Sequence, residues 1–471
     1  MSEQFSLAED SILAGRKHIH FIGIGGSGMF PLAQILHGMG FYLTGSDNNE
    51  TETLEQVRAM GIPVFMGQRA ENIEGADLIV HTAAIMSDNP ELIAAKASGV
   101  PVLERSELLG LVTKSYSNAV CVSGTHGKTT TSSMLAEIMR EAGEDFGCVI
   151  GGKLRSIGGS GRTGNGDKMV CESCEFVDTF LKLYPDIAII LNIDADHLDY
   201  FKTMDNLKAS FHKFAENASK CLVYNGDDKN TLEAVAGISG KDMITFGWDE
   251  HNDYYPVINE IKGLLTTFTV YHKGAKLFDA EIHVPGKHNV LNATAAIAAA
   301  RYVGIPDEAI RAGLAEFRGA ERRFEKLAET RGITIADDYA HHPREIEVTL
   351  QAAKGLGFER IIAVHQPFTY SRTYTLMDDF ARVLKIADMV VLTEIMGSRE
   401  KNTYGVKAAD LAAKIDGCVL TPTFDECVEF LRSEIRPGDL IITMGCGDIY
   451  KVSHKLSKIL KEERSDGRSQ T

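Results

Sequence analysis

Residues 120–131 read Val-Cys-Val-Ser-Gly-Thr-His-Gly-Lys-Thr-Thr-Thr, and no other stretch narrows the fold so far. Ala119 to Val122 is a short apolar run that predicts a buried strand, and Met134, Leu135, Ile138 and Met139 follow at helical spacing. Between them lies a glycine loop ending in Gly127-Lys128-Thr129. Strand, loop and helix in that order make a phosphate-binding loop. Its backbone N–H groups and the positive helix end, about half a unit charge, face the phosphates of a nucleotide. Lys128 would reach the β- and γ-phosphates, and a hydroxyl after it would ligate Mg²⁺. The usual spacing asks for glycine at position 122, where Val122 stands; the early glycine here is Gly124. The stretch predicts ATP binding inside an α/β domain.

A second glycine signal lies near the start. His18 to Ile24 predicts a strand, Gly23-Ile24-Gly25-Gly26-Ser27-Gly28 follows it, and Met29 to Met39 predicts a helix. The next strand, Phe41 to Thr44, ends in Gly45-Ser46-Asp47. This βαβ opening puts a pyrophosphate on the helix end and a hydroxylated sugar near Asp47, demands that a dinucleotide and a UDP-sugar both meet. The polar stretch after Lys114 predicts the end of the first domain. In the middle domain, Met169-Val170-Cys171 delivers Glu172, and the apolar strand Asp186 to Asn192 runs into Asp196-His197. Ligands of doubly wound sheets sit beyond the carboxyl ends of strands, so Glu172 and His197 are candidate Mg²⁺ ligands. Residues 241–285 alternate as antiparallel strands would. Asn289 and Asn292, three apart on a first helical turn, read either as amides for an adenine edge or as helix caps. Arg322-Arg323 reads either as a phosphate site or as a surface ion pair. A third α/β unit follows, with strands at Arg360 to His365, Met389 to Glu394, Cys418 to Leu420 and Asp439 to Met444 alternating with helices.

Bulk properties trim the partners. The formal charge of −16 argues against nucleic acid and anionic membranes. No apolar run reaches the roughly 18 residues of a membrane span. Eight cysteines scattered without a disulfide-dense spacing predict reduced thiols and a cytoplasmic chain.

The whole chain resembles the Mur ligase family. The resemblance is carried by Phe21 to Met29, Gly45-Ser46-Asp47, Gly124 to Thr130, Asp196-His197-Leu198-Asp199 and Gly286 to Ala293. It continues through Arg322-Arg323-Phe324, Asp337 to Pro343 and Tyr370-Ser371-Arg372-Thr373. It implies three domains: a Rossmann-like domain over 1–114, a central ATPase-like P-loop domain over 115–326 with a parallel sheet plus a small antiparallel sheet, and a Rossmann-like domain over 327–471. The fingerprint at 23–28 matches the alanine-adding branch. That branch implies an ATP-dependent ligase joining L-alanine to the carboxylate of UDP-N-acetylmuramate through an acyl phosphate, acting as a monomer or homodimer. By the same resemblance Gly23, Gly25, Gly26, Ser27, Gly28, Ser46 and Asp47 meet the UDP-sugar. Gly124, Thr125, His126, Gly127, Lys128, Thr129 and Thr130 hold the ATP phosphates. Thr129, Thr130 and Glu172 sit near one Mg²⁺ and His197 near another. Asn289 and Asn292 meet adenine, Arg323 phosphate and Asp338 the ribose. His341 and Arg372 face the reacting carboxylate and the incoming amino acid. One stretch departs from the family: relatives commonly read Phe-Gln-Pro-His where this chain reads His365-Gln366-Pro367-Phe368.

Overall fold

The computed structural model describes residues 12–398 and 400–467. They form three sheets. The first holds β1 (His18–Ile22), β2 (Tyr42–Asp47), β3 (Val64–Met66), β4 (Leu78–His81) and β5 (Val102–Glu104), all parallel in the order β3-β2-β1-β4-β5. The second holds β6 (Asn118–Ser123), β7 (Gly147–Leu154), β8 (Gly159–Arg162), β9 (Lys168–Glu172), β10 (Ile187–Ile190), β11 (Cys221–Asn225), β12 (Asp242–Phe246), β13 (Tyr254–Lys262), β14 (Leu265–His272) and β15 (Ala275–Ile282). Their order is β15-β14-β13-β12-β11-β10-β6-β9-β7-β8. The third holds β16 (Glu325–Thr330), β17 (Ile333–Asp338), β18 (Arg360–His365), β19 (Met389–Leu392), β20 (Val419–Leu420) and β21 (Asp439–Met444), in the order β16-β17-β21-β18-β19-β20. Only β16 runs antiparallel there.

The strands are short apolar runs because helices cover both faces of a parallel sheet. Ile-Ala-Ile-Ile of β10 is wholly buried. In the third sheet Ala336, Ala363 and Ile442 pack on one face, and Ile335, Ile362, Val364 and Ile441 on the other.

Two details differ from the sequence reading. Met243 to Phe246, grouped above with antiparallel strands, pairs in parallel with β11 and with β13. The strands after it do not stand as a separate small sheet; they extend the parallel ladder into one mixed sheet. The alternating pattern reported one solvated face, which a strand at the margin of a parallel sheet shares with a meander.

By packing, the chain divides into two compact units. One comprises residues up to Asn259 with Thr267–Glu281 and Asn289–Phe317; the other comprises Glu260–Thr266, Ile282–His288 and Arg318 onward. The first unit contains the first sheet and most of the second around one continuous core, in which Phe30 and Leu36 join Met169, Phe180 and Phe211. The Thr163 hydroxyl donates to the Ile35 carbonyl (3.0 Å) and Gly161 N–H to Gln34 Oε1 (3.1 Å), tying the β8 region to the helix Phe30–Gly38. The second unit is built on the third sheet.

Candidate active site

β6 lies between β10 and β9, so the loop after it emerges with a strand end on each side. Gly124 (φ +137) and Gly127 (φ +89) take backbone angles that L side chains rarely adopt, and Gly127 begins the helix Lys128–Glu141 without a side-chain cap. From β10, Asn192 clasps the loop: its Oδ1 accepts His126 N–H (2.8 Å), its Nδ2 donates to the His126 carbonyl (3.0 Å), and its own carbonyl accepts Thr125 N–H (3.0 Å). From β9, Glu172 Oε1 accepts the Thr129 hydroxyl (3.0 Å) while Oε2 accepts Gly151 N–H (2.6 Å). Lys128 Nζ donates to the carbonyls of Gly124 (2.6 Å) and Thr125 (3.2 Å) and to Glu175 Oε2 (2.8 Å). Burial opposes the Lys128 ammonium, but Glu175, Cys174 and Glu172 together hold the pKa above the ordinary lysine value.

Asn289 and Asn292 are buried, with Asn292 Nδ2 donating to Asn289 Oδ1 (3.0 Å). Asn292 abuts the loop so closely that a Cβ on Gly127 would lie 2.5 Å from its Oδ1. Thr130 lies in the first turn of the loop helix, partly buried. His197 adopts φ +53, its N–H bonded to Asp196 Oδ1 (2.8 Å) and its ring centroid 4.7 Å from that of Phe176.

At the first sheet, Gly23 and Ile24 N–H both donate to the Ser46 carbonyl (2.8 and 3.0 Å), and Gly25 N–H to Asp47 Oδ2 (3.0 Å). Gly26, Ser27 and Gly28 complete the turn into the helix Phe30–Gly38, which also lacks a side-chain cap. The Ser46 side chain departs from expectation. It is fully buried and donates to Glu91 Oε2 (2.6 Å), whose other oxygen pairs with His20 Nε2 (2.8 Å). The hydroxyl therefore faces the core, and only the Ser46 backbone serves the turn.

In the second unit the arginine pair separates. Arg322 is bound to Asp337 (2.8 Å) and lies between the rings of Tyr339 and Tyr450, 4.9 and 4.8 Å from their centroids. Arg323 lies over Tyr339 and beside Asp338. Asp338 accepts N–H from Phe324 and Ala340 (both 2.7 Å); burial still lifts its pKa to about 6, against Arg323 and those two bonds. His341 is half-buried near Arg372, and Arg372 Nη1 is a buried donor without a partner among the described residues.

Three family models match consecutive stretches: Mur ligase family, catalytic domain (18–117), Mur ligase middle domain (122–300) and Mur ligase, glutamate ligase domain (322–447). A UDP-N-acetylmuramate–L-alanine ligase of Agathobacter rectalis is 45% identical over 449 residues, covering 94% of this chain and 98% of its own. The chain belongs to the Mur ligase family. Among solved Mur ligases, the UDP-N-acetylmuramate–alanine ligase of Thermotoga maritima superposes with a TM-score of 0.82 at 29% identity, over 95% of this chain and all of that one. A murein peptide ligase of Psychrobacter arcticus gives 0.71 at 25%, over 94% and 98%. Within this Mur ligase, two residues of the loop's surroundings escaped the sequence reading. Asn192 and Glu175 flank recognised motifs but carry no motif spacing of their own; only the adjacency of β10 and β9 to β6 identifies them.

Proposed function

We propose that this Mur ligase joins L-alanine to the carboxylate of UDP-N-acetylmuramate, with ATP converting that carboxylate to an acyl phosphate. The observation that carries the reading is the phosphate loop itself. Lys128, two glycines at positive φ and the Thr129–Glu172 pair converge at an uncapped helix start. A carboxylate expels oxide too poorly to acylate an amine, and phosphorylation supplies the leaving group. Lys128 and the loop N–H groups bind the ATP phosphates and offset the charge that repels the carboxylate nucleophile. Asn289 and Asn292 meet adenine, Arg323 phosphate and Asp338 the ribose. Gly23 to Gly28 and Asp47 receive the UDP-sugar, with Ser46 contributing backbone alone. His341 and Arg372 take the amino acid.

The oxygen donors of Thr129 and Glu172, 3.0 Å apart, suit a hard divalent cation. Mg²⁺ held there, with Thr130 nearby and a second ion near His197, would neutralise phosphate charge. We read the chain as three functional segments, 1–114, 115–326 and 327–471, working as a monomer or homodimer. All eight cysteines are free, which suits a cytoplasmic enzyme. No helix among the described residues is long and apolar enough to cross a membrane.

The test is phosphate release from Mg·ATP with UDP-N-acetylmuramate, with and without L-alanine. Alanine-dependent release, with a product heavier by one alanyl residue, is expected. Release with a free tripeptide but not with alanine would move the acceptor to a peptide, and no release with any acceptor would refute the ligase reading.

A further inference from the structure

Beneath the glycine turn of the first sheet, five polar side chains stand in one unbroken line. His18 Nδ1 lies 2.8 Å from the Gly75 carbonyl, and its Nε2 lies 2.8 Å from Thr44 Oγ1. The same Thr44 oxygen lies 2.8 Å from His20 Nδ1. His20 Nε2 lies 2.8 Å from Glu91 Oε1, and Glu91 Oε2 accepts the Ser46 hydroxyl (2.6 Å). His20, Glu91 and Ser46 are fully buried and Thr44 nearly so; only His18, its ring centroid 4.8 Å from that of Tyr42, reaches solvent.

Each of these five contacts needs one hydrogen. Two neutral imidazoles, Thr44 and Ser46 supply one each, which makes four, and a carboxylate supplies none. The Gly75 carbonyl only accepts, so with four hydrogens one buried lone pair would face another. A fifth hydrogen therefore belongs to the line. Imidazole is a stronger base than carboxylate, so a ring holds it. Two features choose His20. Its Nε2 touches the buried Glu91 carboxylate, whereas Asp77, the carboxylate beside His18, is half-exposed and screened by water. Glu91 also stands in the first turn of the helix Pro90–Ala97, capped by Asn89, where the helix dipole favours a negative charge.

We propose that His20 and Glu91 form a buried imidazolium–carboxylate pair, and that Glu91 is a positioning residue that braces the sugar-nucleotide turn through Ser46. The proposal rests on the reading of residues 23–28 as the UDP-sugar site. Ser46 is where the brace meets the turn. Its carbonyl accepts Gly23 N–H (2.8 Å) and Ile24 N–H (3.0 Å), while its hydroxyl is drawn the other way by Glu91. The surroundings leave no room to take up a shift: a Cβ on Gly45 would lie 2.7 Å from Ile24 Cβ, and one on Gly23 2.8 Å from Thr82 Cγ2. A displacement of Ser46 therefore passes to the N–H groups of the turn instead of being absorbed. A hydrophobic pair in place of His20 and Glu91 would avoid the desolvation of two charges, but it would leave the Ser46 hydroxyl without an acceptor.

Two measurements on the full-length protein test this. The first is a side-chain ¹H–¹⁵N correlation of ¹⁵N-histidine-labelled protein at pH 7, with the His20 signals assigned by their loss in His20→Gln and their retention in His18→Gln. Both ring nitrogens of His20 carry a proton; a single ring proton overturns the ion pair. In the second, UDP-N-acetylmuramate and a fluorescent ATP analogue are titrated separately, without turnover. Glu91→Gln keeps the side chain's shape and removes its charge. It weakens UDP-sugar binding about tenfold, the loss of one hydrogen bond to a charged group, and leaves the ATP analogue's affinity unchanged. Ser46→Ala, a smaller change, weakens UDP-sugar binding to a similar extent. The double variant binds no more weakly than the worse single one, because both cut the same brace. A merely structural role would not separate the two ligands. Equal losses for both, unchanged UDP-sugar binding in folded Ser46→Ala, or additive losses in the double variant overturn the bracing role. A parent protein that binds the ATP analogue but no UDP-sugar overturns the reading of the turn and the bracing role with it, while the ion pair is still decided by the His20 protons.

Discussion

At the scale of single residues, Lys128 and Gly127 carry the sharpest consequences. Lys128→Met removes the ammonium while keeping the stem's bulk, so phosphate release should fall about 10²–10³-fold, the loss typical of a deleted charge-stabilising group. Far-UV circular dichroism of the variant should match the parent; a rate within threefold of the parent would remove Lys128 from the chemistry. Gly127→Ala adds a Cβ 2.5 Å from Asn292 Oδ1 at φ +89, combining a clash with about 1–2 kcal/mol of left-handed strain. Nucleotide affinity should drop about tenfold or more, read by titration of a fluorescent ATP analogue. Gly124, Lys128 and Thr129 were legible in the sequence because phosphate chemistry restricts which residues can stand there. Glu175 was not. Its partnership with Lys128 depends on where the chain turns after β9, and Ser173-Cys174 hides it from any spacing rule. Asn192 was missed for the same reason, and the turn of the Ser46 hydroxyl toward Glu91 was not legible because a sequence does not show which way a buried hydroxyl points.

Elements tell a related story about helix starts. The helices Glu52–Ala59 and Pro90–Ala97 are capped by the side chains of Thr51 and Asn89, whereas those after the two glycine turns have no side-chain cap. Uncapped N–H groups at a helix start are donors for an anion. In the first sheet the turn is held from below by Asp47: Oδ2 accepts Gly25 N–H, and Oδ1 accepts N–H from Asn48 (2.8 Å) and Asn49 (3.1 Å). Asp47→Ala should therefore loosen the turn as a whole and raise KM for the UDP-sugar about tenfold, leaving KM for ATP unchanged in the same assay. Equal changes in both constants would mean the turn does not serve the sugar nucleotide. Most strands were legible as apolar runs, and β18 and β21 fall where the sequence put them. The β7–β8 pair was not, because Gly147, Gly151, Gly152, Gly158, Gly159 and Gly161 dilute any hydrophobic pattern. Those glycines serve close approach instead: a Cβ on Gly161 would lie 2.5 Å from the Pro31 carbonyl oxygen, and one on Gly151 2.4 Å from Glu172 Oε1.

Over the whole molecule, the division into two units, each with its own core, makes acid stability a property that one residue can dominate in one of them. His365 is buried at the end of β18, and its pKa is pushed down to about 4 by burial, with the Met444 carbonyl opposing and His341 adding to the fall. In the unfolded chain a histidine titrates near 6.5. Between those values the unfolded state binds a proton that the folded state refuses, so stability is full above about pH 6.5 and drains as pH falls toward 4. The integrated loss is about 3 kcal/mol. The ring of Phe380 stacks on His365 with centroids 5.5 Å apart, so an aromatic side chain suits the site. His365→Phe gives up the bond to Met444, about 1 kcal/mol at pH 7, and removes the proton linkage. Urea unfolding, followed from pH 7.5 to 4.5, should then show a second-unit transition whose midpoint falls with acid in the parent and falls less in the variant. Asp338 works the other way. Its raised pKa, about 6 against 3.8, favours the folded state most below pH 3.8 and loses that contribution as pH rises through 6. The two residues thus oppose each other between pH 4 and 6, and the parent's slope there is the difference of their effects. Replacing His365 alone should therefore flatten or invert that slope; an acid slope unchanged in His365→Phe would mean that other buried groups govern it.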